Sequence, residues 1–234
     1  MSTHTASTRA MVVLFSAGDH RAMATALQEL AHTRSMGFES HPAEMPDPDA
    51  VFARWRTEAK RPALVVFGGS HWQAGNALDT PPEAWDAAWR SQCLAGAQVG
   101  QAAIRAFRAH RPERASASPG AESHLHHHTL IFLGHADSVT DAQPARRRAP
   151  AAFGAAHAAA GAGLRSLAQS MARGFGPDGI HVAHLGIDGP LPLSVTAADS
   201  VAQACWSLHA QGRSAWSQDI DLRVTHTPEA THDH

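Results

Sequence analysis

The chain has 234 residues, of which 44% are hydrophobic and 17% are charged, and its formal net charge is −2. This composition is typical of a globular domain, and it excludes a disordered chain and a globally basic nucleic-acid-binding protein. The two cysteines are too few for a disulfide framework, no apolar run approaches the ~20 residues of a membrane helix, and the N-terminus lacks the pattern of a signal peptide, so we expect a cytoplasmic protein.

The first third of the chain alternates between predicted strands and helices. Met11–Phe15 is a continuous apolar run, which is typical of a strand buried on both faces of a parallel sheet, and Ala63–Phe67 repeats the pattern. Between these runs the apolar spacing predicts a helix over 20–35, a strand near Phe38–Ala43 and a helix that begins at Asp47.

The alternation continues to the end of the chain. Pro82–Phe107 is predicted to be one long helix that bends near Gly96, and 111–123 is predicted to be an exposed loop. The later elements are a strand over Thr129–Gly134, a polar loop over 141–150, a helix over 151–174, a strand over Ile180–Ile187, a helix over Ala198–Gln211 and a strand over Ile220–Val224. This order predicts an α/β fold with a doubly wound parallel sheet, in a single domain over 1–225 with a polar tail over 226–234.

Three segments of the sequence are distinctive. Gly163–Gly189 joins a helix to a strand that ends in Ile-Asp-Gly, Pro82–Trp89 opens the long helix, and Trp206–Arg223 closes the domain. Together with the first strand and its turn, these segments resemble the short-chain dehydrogenase/reductase family over nearly the whole chain. The resemblance implies a Rossmann-like sheet, an NAD(P) cofactor and oxidoreductase chemistry.

The turn after the first strand departs from the family pattern. The family has glycines there, which let the backbone approach the cofactor pyrophosphate closely. In this chain Ser16, His20 and Ala22 stand at the three glycine positions, with Gly18 among them, and an imidazole obstructs that approach. By resemblance Ser16, Gly18, Asp19 and Gly68 are the candidate cofactor-binding residues, and NAD(P) binding is expected to be weak or absent.

The catalytic tetrad of the family, Asn, Ser, Tyr and Lys, is also altered. The resemblance places these roles at Gln92, Ser138, His157 and Gly161, and the chain contains no tyrosine. A register shifted by one turn places Phe153 and His157 at the Tyr and Lys positions, so neither register restores the pair. The sequence therefore favours a non-catalytic protein with a binding or assembly role. The alternative is an NAD(P)-dependent oxidoreductase in which His157 replaces the tyrosine and Ser138 orients the carbonyl.

Two segments are shorter than in the family. Between Leu30 and Pro46 there is room for only one strand, where the family has two strands and a helix, so no ribose-reading residue is identified. Only Pro190–Thr196 separates the Ile-Asp-Gly strand from the next helix, which leaves little length for the lid that closes over substrate in the family. We therefore expect a sheet that lacks one strand near 36–46 and a site without a lid.

Three other groups of residues are candidates for functional sites, and none of them predicts a specific function. The densest group of potential metal ligands comprises His124, His126, His127, His128 and His135, but it has no companion cysteine or carboxylate at a fixed spacing, so no specific metal site is predicted. Ser138 and His157 lack the GxSxG elbow of a hydrolase. Arg146–Arg148 is interpreted as a solvated surface patch.

The resemblance also implies an assembly. In the family, the helices that match 82–107 and 151–174 form the subunit interface. We therefore predict a homodimer or homotetramer through these helices, with an intact relative as an alternative partner, and no nucleic-acid or membrane partner. Small residues on the second helix would let helices approach closely, namely Ala155, Ala158, Ala159 and Gly163.

Overall fold

The computed structural model describes residues 8–17, 20–43, 47–69, 75–110, 128–135, 154–188 and 193–224. The strands are β1 (Arg9–Ser16), β2 (Gly37–Pro42), β3 (Lys60–Gly68), β4 (His128–His135), β5 (Ile180–Asp188) and β6 (Asp219–Arg223). The helices are α1 (Arg21–Thr33), α2 (Pro48–Thr57), α3 (Pro82–Ala88), α4 (Ala95–Ala109), α5 (Ala155–Phe175) and α6 (Val195–His209). The predicted alternation of strands and helices is confirmed, with small shifts of the ends.

The described strands form one parallel sheet in the order β2-β1-β3-β4-β5-β6. The chain moves outward from β1 to β2 and then crosses to the other side of β1 to form β3. The carboxyl ends of β1 and β3 therefore flank the point at which the direction of winding reverses. Ligands of doubly wound sheets bind in the crevice at such a point.

Helices cover both faces of the sheet because its central strands are apolar on both sides. On one face α2, α4 and α5 enclose a core rich in aromatic side chains, which includes Phe15, Trp55, Phe67, Phe107 and Phe132. On the other face α1 and α6 pack against each other and against a mainly aliphatic core, which includes Leu27, Leu64, Ile131, Val201 and Leu208. The predicted doubly wound α/β class is confirmed.

The long helix predicted over Pro82–Phe107 is interrupted by a π-helical segment, Trp89–Leu94, which lies between α3 and α4. The irregularity therefore precedes Gly96, where a bend was expected. Gly96 serves close packing instead, because a β-carbon there would lie 2.5 Å from Leu164 Cδ1 and 3.1 Å from the Phe67 ring. This glycine lets α4 approach α5 and the sheet.

Among the described residues, the segment between α1 and α2 contains one strand, β2, as its short length predicts. β2 pairs in parallel with β1 and places Met11 opposite Gly37 and Ser16 opposite Pro42. Residues 44–46 and 189–192 lie outside the described part of the chain. The loss of a second strand and the loss of the lid therefore stay predictions.

A charged network ties β2 to α2 and to the start of β3. The Glu39 carboxylate accepts hydrogen bonds from Arg54 at 2.5 Å and from Lys60 at 3.1 Å, and His41 lies 3.1 Å away. Burial alone would raise the pKa of Glu39, but these hydrogen bonds outweigh it and lower the pKa to about 2. The network therefore attaches the edge strand β2 to α2 and to the start of β3.

The network predicts acid sensitivity. Because the pKa of Glu39 is lowered in the folded state, its contribution to stability is present above the ordinary pKa of 4.5 and is lost as the pH falls toward about 2. After allowance for solvent screening we expect a loss of about 1–2 kcal/mol. Urea unfolding at neutral and at acid pH measures this loss in the free energy of unfolding. The Glu39→Gln variant should be less stable at neutral pH and should lose less on acidification, and equal losses in both proteins would contradict the assignment.

Candidate functional site

The crevice at the carboxyl ends of β1 and β3 contains two of the residues expected to bind cofactor. Ser16 ends β1, and its carbonyl oxygen accepts a hydrogen bond from the Ala43 amide at 2.9 Å. Gly68 ends β3, and its carbonyl oxygen accepts one from the Ala17 amide at 3.0 Å. Gly18 and Asp19, the other two expected residues, lie outside the described part of the chain.

The His20 side chain lies against the end of β3. His20 is the N-cap residue of α1, and its Nε2 atom lies 3.2 Å from the Gly69 carbonyl oxygen. The imidazole also lies over Gly68, where a β-carbon would be only 3.1 Å from His20 Cε1. A dinucleotide pyrophosphate occupies this place at the amino end of the first helix in Rossmann folds. The described residues of this turn therefore do not fit a pyrophosphate.

Two of the tetrad-equivalent residues lie next to each other. Gln92 lies in the π-helical segment and is 3% exposed, and His157 lies in the first turn of α5 and is 6% exposed. The Gln92 amide Nε2 donates a hydrogen bond of 2.6 Å to Nδ1 of His157. In a neutral imidazole this bond leaves the proton on Nε2. π-helical turns occur often at functional sites, and this one places an amide against an imidazole.

Further contacts join these residues to the crevice. A β-carbon at Gly69 would lie 3.0 Å from Gln92 Cγ, so the end of β3 packs directly on the glutamine. His135, the last residue of β4, places its ring 6.2 Å from that of His157 in an edge-to-face arrangement. We call His20, Gln92, His135 and His157 the imidazole cluster. Sequence reasoning missed the place of His135 in it, although its position at the end of a buried strand was a usable signal.

The cluster can hold and transfer a proton but lacks other parts of the family's chemistry. The position expected to carry lysine, Gly161, is buried in α5 and has no side chain. Ser138 lies outside the described part of the chain. An imidazole can act as an acid or a base, but none of the three described tetrad positions, Gln92, His157 and Gly161, carries the cation that assists this chemistry in the family.

The histidine-rich stretch does not form a metal site in the described part of the chain. His128 and His135 stand at opposite ends of β4, about 23 Å apart at 3.3 Å per residue. His128 stacks on Phe107 at 4.7 Å and its Nδ1 lies 3.0 Å from the Pro62 carbonyl oxygen. No group of three or more His, Cys, Asp or Glu residues suited to a metal ion occurs among the described residues. His128 has a packing role at the amino end of its strand.

Within the described ranges, no helix combines the length and the apolar character that crossing a membrane requires. No sequence model of a protein family matches the chain, and no curated protein matches it. Solved structures do match. A short-chain dehydrogenase from Rhodopseudomonas palustris superimposes with a TM-score of 0.65 and 26% identity, covering 92% of this chain and 99% of that one.

Two further structures agree with this match. A short-chain dehydrogenase from Mycobacterium smegmatis has a TM-score of 0.64 and 15% identity, covering 95% of both chains. A metagenomic short-chain oxidoreductase in complex with NADP has a TM-score of 0.62 and 19% identity, covering 94% of this chain and 100% of that one. The strand order, the crevice at the strand reversal and these matches show that the chain has the fold of the short-chain dehydrogenases/reductases, and its 26% identity to one of them over 92% of the chain supports membership of that superfamily.

Proposed function

We propose that this chain is a cytoplasmic, non-catalytic member of its superfamily whose retained role is assembly or the binding of a small molecule. The observation that carries the proposal is the position of His20. Its imidazole lies 3.2 Å from the Gly69 carbonyl and covers Gly68, in the place where the backbone of the family meets the pyrophosphate. A bulky side chain there removes the close approach on which dinucleotide binding depends.

The tetrad positions support the same proposal. Gln92 and His157 satisfy each other through a buried hydrogen bond of 2.6 Å, and Gly161 offers no side chain. A buried polar pair that is hydrogen-bonded internally has less need of a substrate to complete it. The side chains at these tetrad positions therefore bind each other, and this arrangement favours a role other than catalysis.

Titration of the protein with NADH and with NADPH by calorimetry tests the proposal. We expect dissociation constants of about millimolar or weaker, because the loss of two charge-assisted hydrogen bonds of ~1.5–3 kcal/mol each weakens a micromolar site to that range. A dissociation constant in the low micromolar range for either nucleotide would overturn the proposal.

The assembly role is supported by apolar side chains on the helices that the resemblance assigns to an interface. Trp89 and Leu94, in the π-helical segment, are 49% and 43% exposed, and Ala159 of α5 is also exposed. Gly163 has a different role from the one expected, since a β-carbon there would lie 2.9 Å from the Trp89 ring of the same chain. Gly163 thus brings α5 close to the π-helical segment, and Ala159 remains available for a second subunit.

We expect the wild-type chain to form a homodimer or homotetramer and the Ala159→Trp variant to be a monomer at micromolar concentrations. Overpacking costs typically ~1–3 kcal/mol per site and recurs in each symmetric copy. Light scattering coupled to size exclusion measures the mass. The matched control is Ser200→Trp, which places the same ring at an exposed position of α6 on the opposite face of the sheet. A wild-type chain that is monomeric at tens of micromolar would contradict the assembly.

A second candidate function is an NAD(P)-dependent oxidoreductase that uses His157 as proton donor, with Ser138 orienting the carbonyl. The favouring observation is the Gln92 hydrogen bond, which holds the His157 ring in one orientation and places the proton of the neutral ring on Nε2. The same nucleotide titrations distinguish the two functions. Micromolar binding that is followed by turnover lost in a His157→Ala variant would establish the oxidoreductase.

A further inference from the structure

A buried histidine at the opposite end of the sheet has an unusual hydrogen-bonding environment. His181 is the second residue of β5 and is 1% exposed. Its Nδ1 atom lies 3.1 Å from the Leu208 carbonyl oxygen, and its Nε2 atom lies 2.8 Å from the Ser217 carbonyl oxygen. Both ring nitrogens therefore face backbone oxygens, one in α6 and one in the segment that follows it.

These two contacts determine the charge of the ring. A carbonyl oxygen accepts hydrogen bonds and cannot donate them, while a neutral imidazole has one N–H donor and one bare nitrogen. In a neutral ring, one of the two contacts would bring a nitrogen lone pair against a carbonyl oxygen. Only the imidazolium form donates to both oxygens at once.

The surroundings suit a cation. The Leu208 carbonyl lies in the last turn of α6, at the negative end of the helix dipole. The indole ring of Trp216 stacks on His181 with centroids 4.9 Å apart and planes 6° apart, and an aromatic face attracts a cation. Two oxygens and one ring face thus surround the imidazole.

The titratable and charged groups on the elements around His181 make contacts of their own. His209, on α6, has Nδ1 at 2.8 Å from the Thr129 hydroxyl of β4, and Arg213 donates to the Pro177 carbonyl at 2.9 Å. Asp219, where β6 begins, accepts from Arg165 at 2.7 Å and lies 3.1 Å from His184. His128, on β4, lies 3.0 Å from the Pro62 carbonyl oxygen.

The segment that His181 contacts is a closed turn that leads into the edge strand. Gln211 bridges its two ends, because its side chain accepts from the Ser217 amide at 2.7 Å and its main-chain oxygen accepts from the Trp216 indole at 3.2 Å. The next residue, Gln218, accepts from the His184 amide at 2.9 Å, and β6 follows. A bond from β5 to Ser217 therefore fastens the whole turn and the start of β6.

We propose that His181 is a buried imidazolium that clamps the 211–218 segment, and with it the edge strand β6, to the sheet. The strength of this clamp depends on the protonation of the His181 ring. Loss of the proton turns one of the two hydrogen bonds into a repulsive contact and weakens the cation–π stack. The clamp is engaged in acid and neutral solution and is released as the pH rises through the titration of His181.

Nuclear magnetic resonance of the full chain labelled with ¹⁵N-histidine tests the protonation directly. At about pH 7, where an ordinary histidine is mostly neutral, we expect both His181 nitrogens to carry protons and the ring to titrate only at higher pH. The His181→Gln spectrum assigns the signals. A neutral His181 with one protonated nitrogen at about pH 7 would overturn the proposal.

The clamp is tested by the pH dependence of unfolding. From about pH 7 to about pH 9, we expect the unfolding equilibrium constant of the wild-type chain to rise by about tenfold more than that of His181→Gln, because a hydrogen bond to a charged group is lost. His32→Gln, at an exposed position of α1, is the control and should follow the wild type. Parallel curves for all three proteins would contradict the clamp.

The fluorescence of Trp216 supplies a readout that does not need a folded His181 variant. Protonated imidazole quenches a stacked indole, so raising the pH should increase emission in the wild-type chain and not in Trp216→Phe. An identical pH response in both proteins would count against a charged His181 stack.

Discussion

Replacing Gly134 with alanine is expected to lower the free energy of unfolding by about 3 kcal/mol, although alanine in a strand is usually favourable relative to glycine. The β-carbon would lie well under 3.0 Å from Nε2 of His184. That imidazole has no room to move, because it is fully buried and its Nδ1 lies 3.1 Å from the Asp219 carboxylate. Urea unfolding measures the loss.

The Nε2 tip of the His184 ring points at Gly134, and the ring is neutral. Burial lowers the pKa of His184, and the hydrogen bond to Asp219 only partly opposes it. The neutral ring donates from Nδ1 to the carboxylate, and its Nε2 has no hydrogen-bond partner among the described residues.

Two comparisons separate this clash from a general effect of glycine replacement. Gly174→Ala in α5 meets nothing within 4 Å and should be neutral or should raise stability by ~0.5–1 kcal/mol. The double variant Gly134→Ala with His184→Ala should be more stable than the sum of the two single losses by at least ~1 kcal/mol. Strict additivity would show that the imidazole is not the obstacle.

Replacing His20 with glycine is expected to increase affinity for NADH or NADPH by at least about tenfold. The change removes the ring that lies against the end of β3 and exposes the amino end of α1, where no side chain of the described residues caps the helix and no acidic residue occupies the first turn. Each backbone hydrogen bond that a phosphate regains there contributes ~1.5–3 kcal/mol.

A matched variant identifies the part of the side chain that obstructs. His20→Ala removes the ring but keeps the β-carbon, so its affinity should fall between those of wild type and His20→Gly. Calorimetric titration of the three proteins gives the order. Equal affinities in all three proteins would show that His20 is not what obstructs nucleotide binding. Micromolar binding by the wild type would show that nothing obstructs it.

The strands and helices could be predicted because burial repeats along the chain. Met11–Phe15 and Ala63–Phe67 are continuous apolar runs, and only a strand covered on both faces buries such a run. The π-helical turn at Trp89–Leu94 could not be predicted, because it alters one turn of a helix without changing the apolar pattern that marks the helix. For the same reason Gly96 was interpreted as a bend when it is a contact with Leu164.

The sequence by itself determined the fold class, the order of the elements and the absence of tyrosine from the tetrad, since these depend on local pattern and on residue identity. Only the tertiary structure decided which side chains meet. His20 reaches Gly69 across 49 residues, and Gln92 reaches His157 across 65. Such contacts depend on which strands are neighbours and on how far a helix is wound, and neither is encoded in the apolar period of any one segment. The same reason separates the histidines, since His20 lies against the end of β3, His184 against Gly134 and His181 against two carbonyl oxygens, and each contact depends on the elements that are neighbours in the fold.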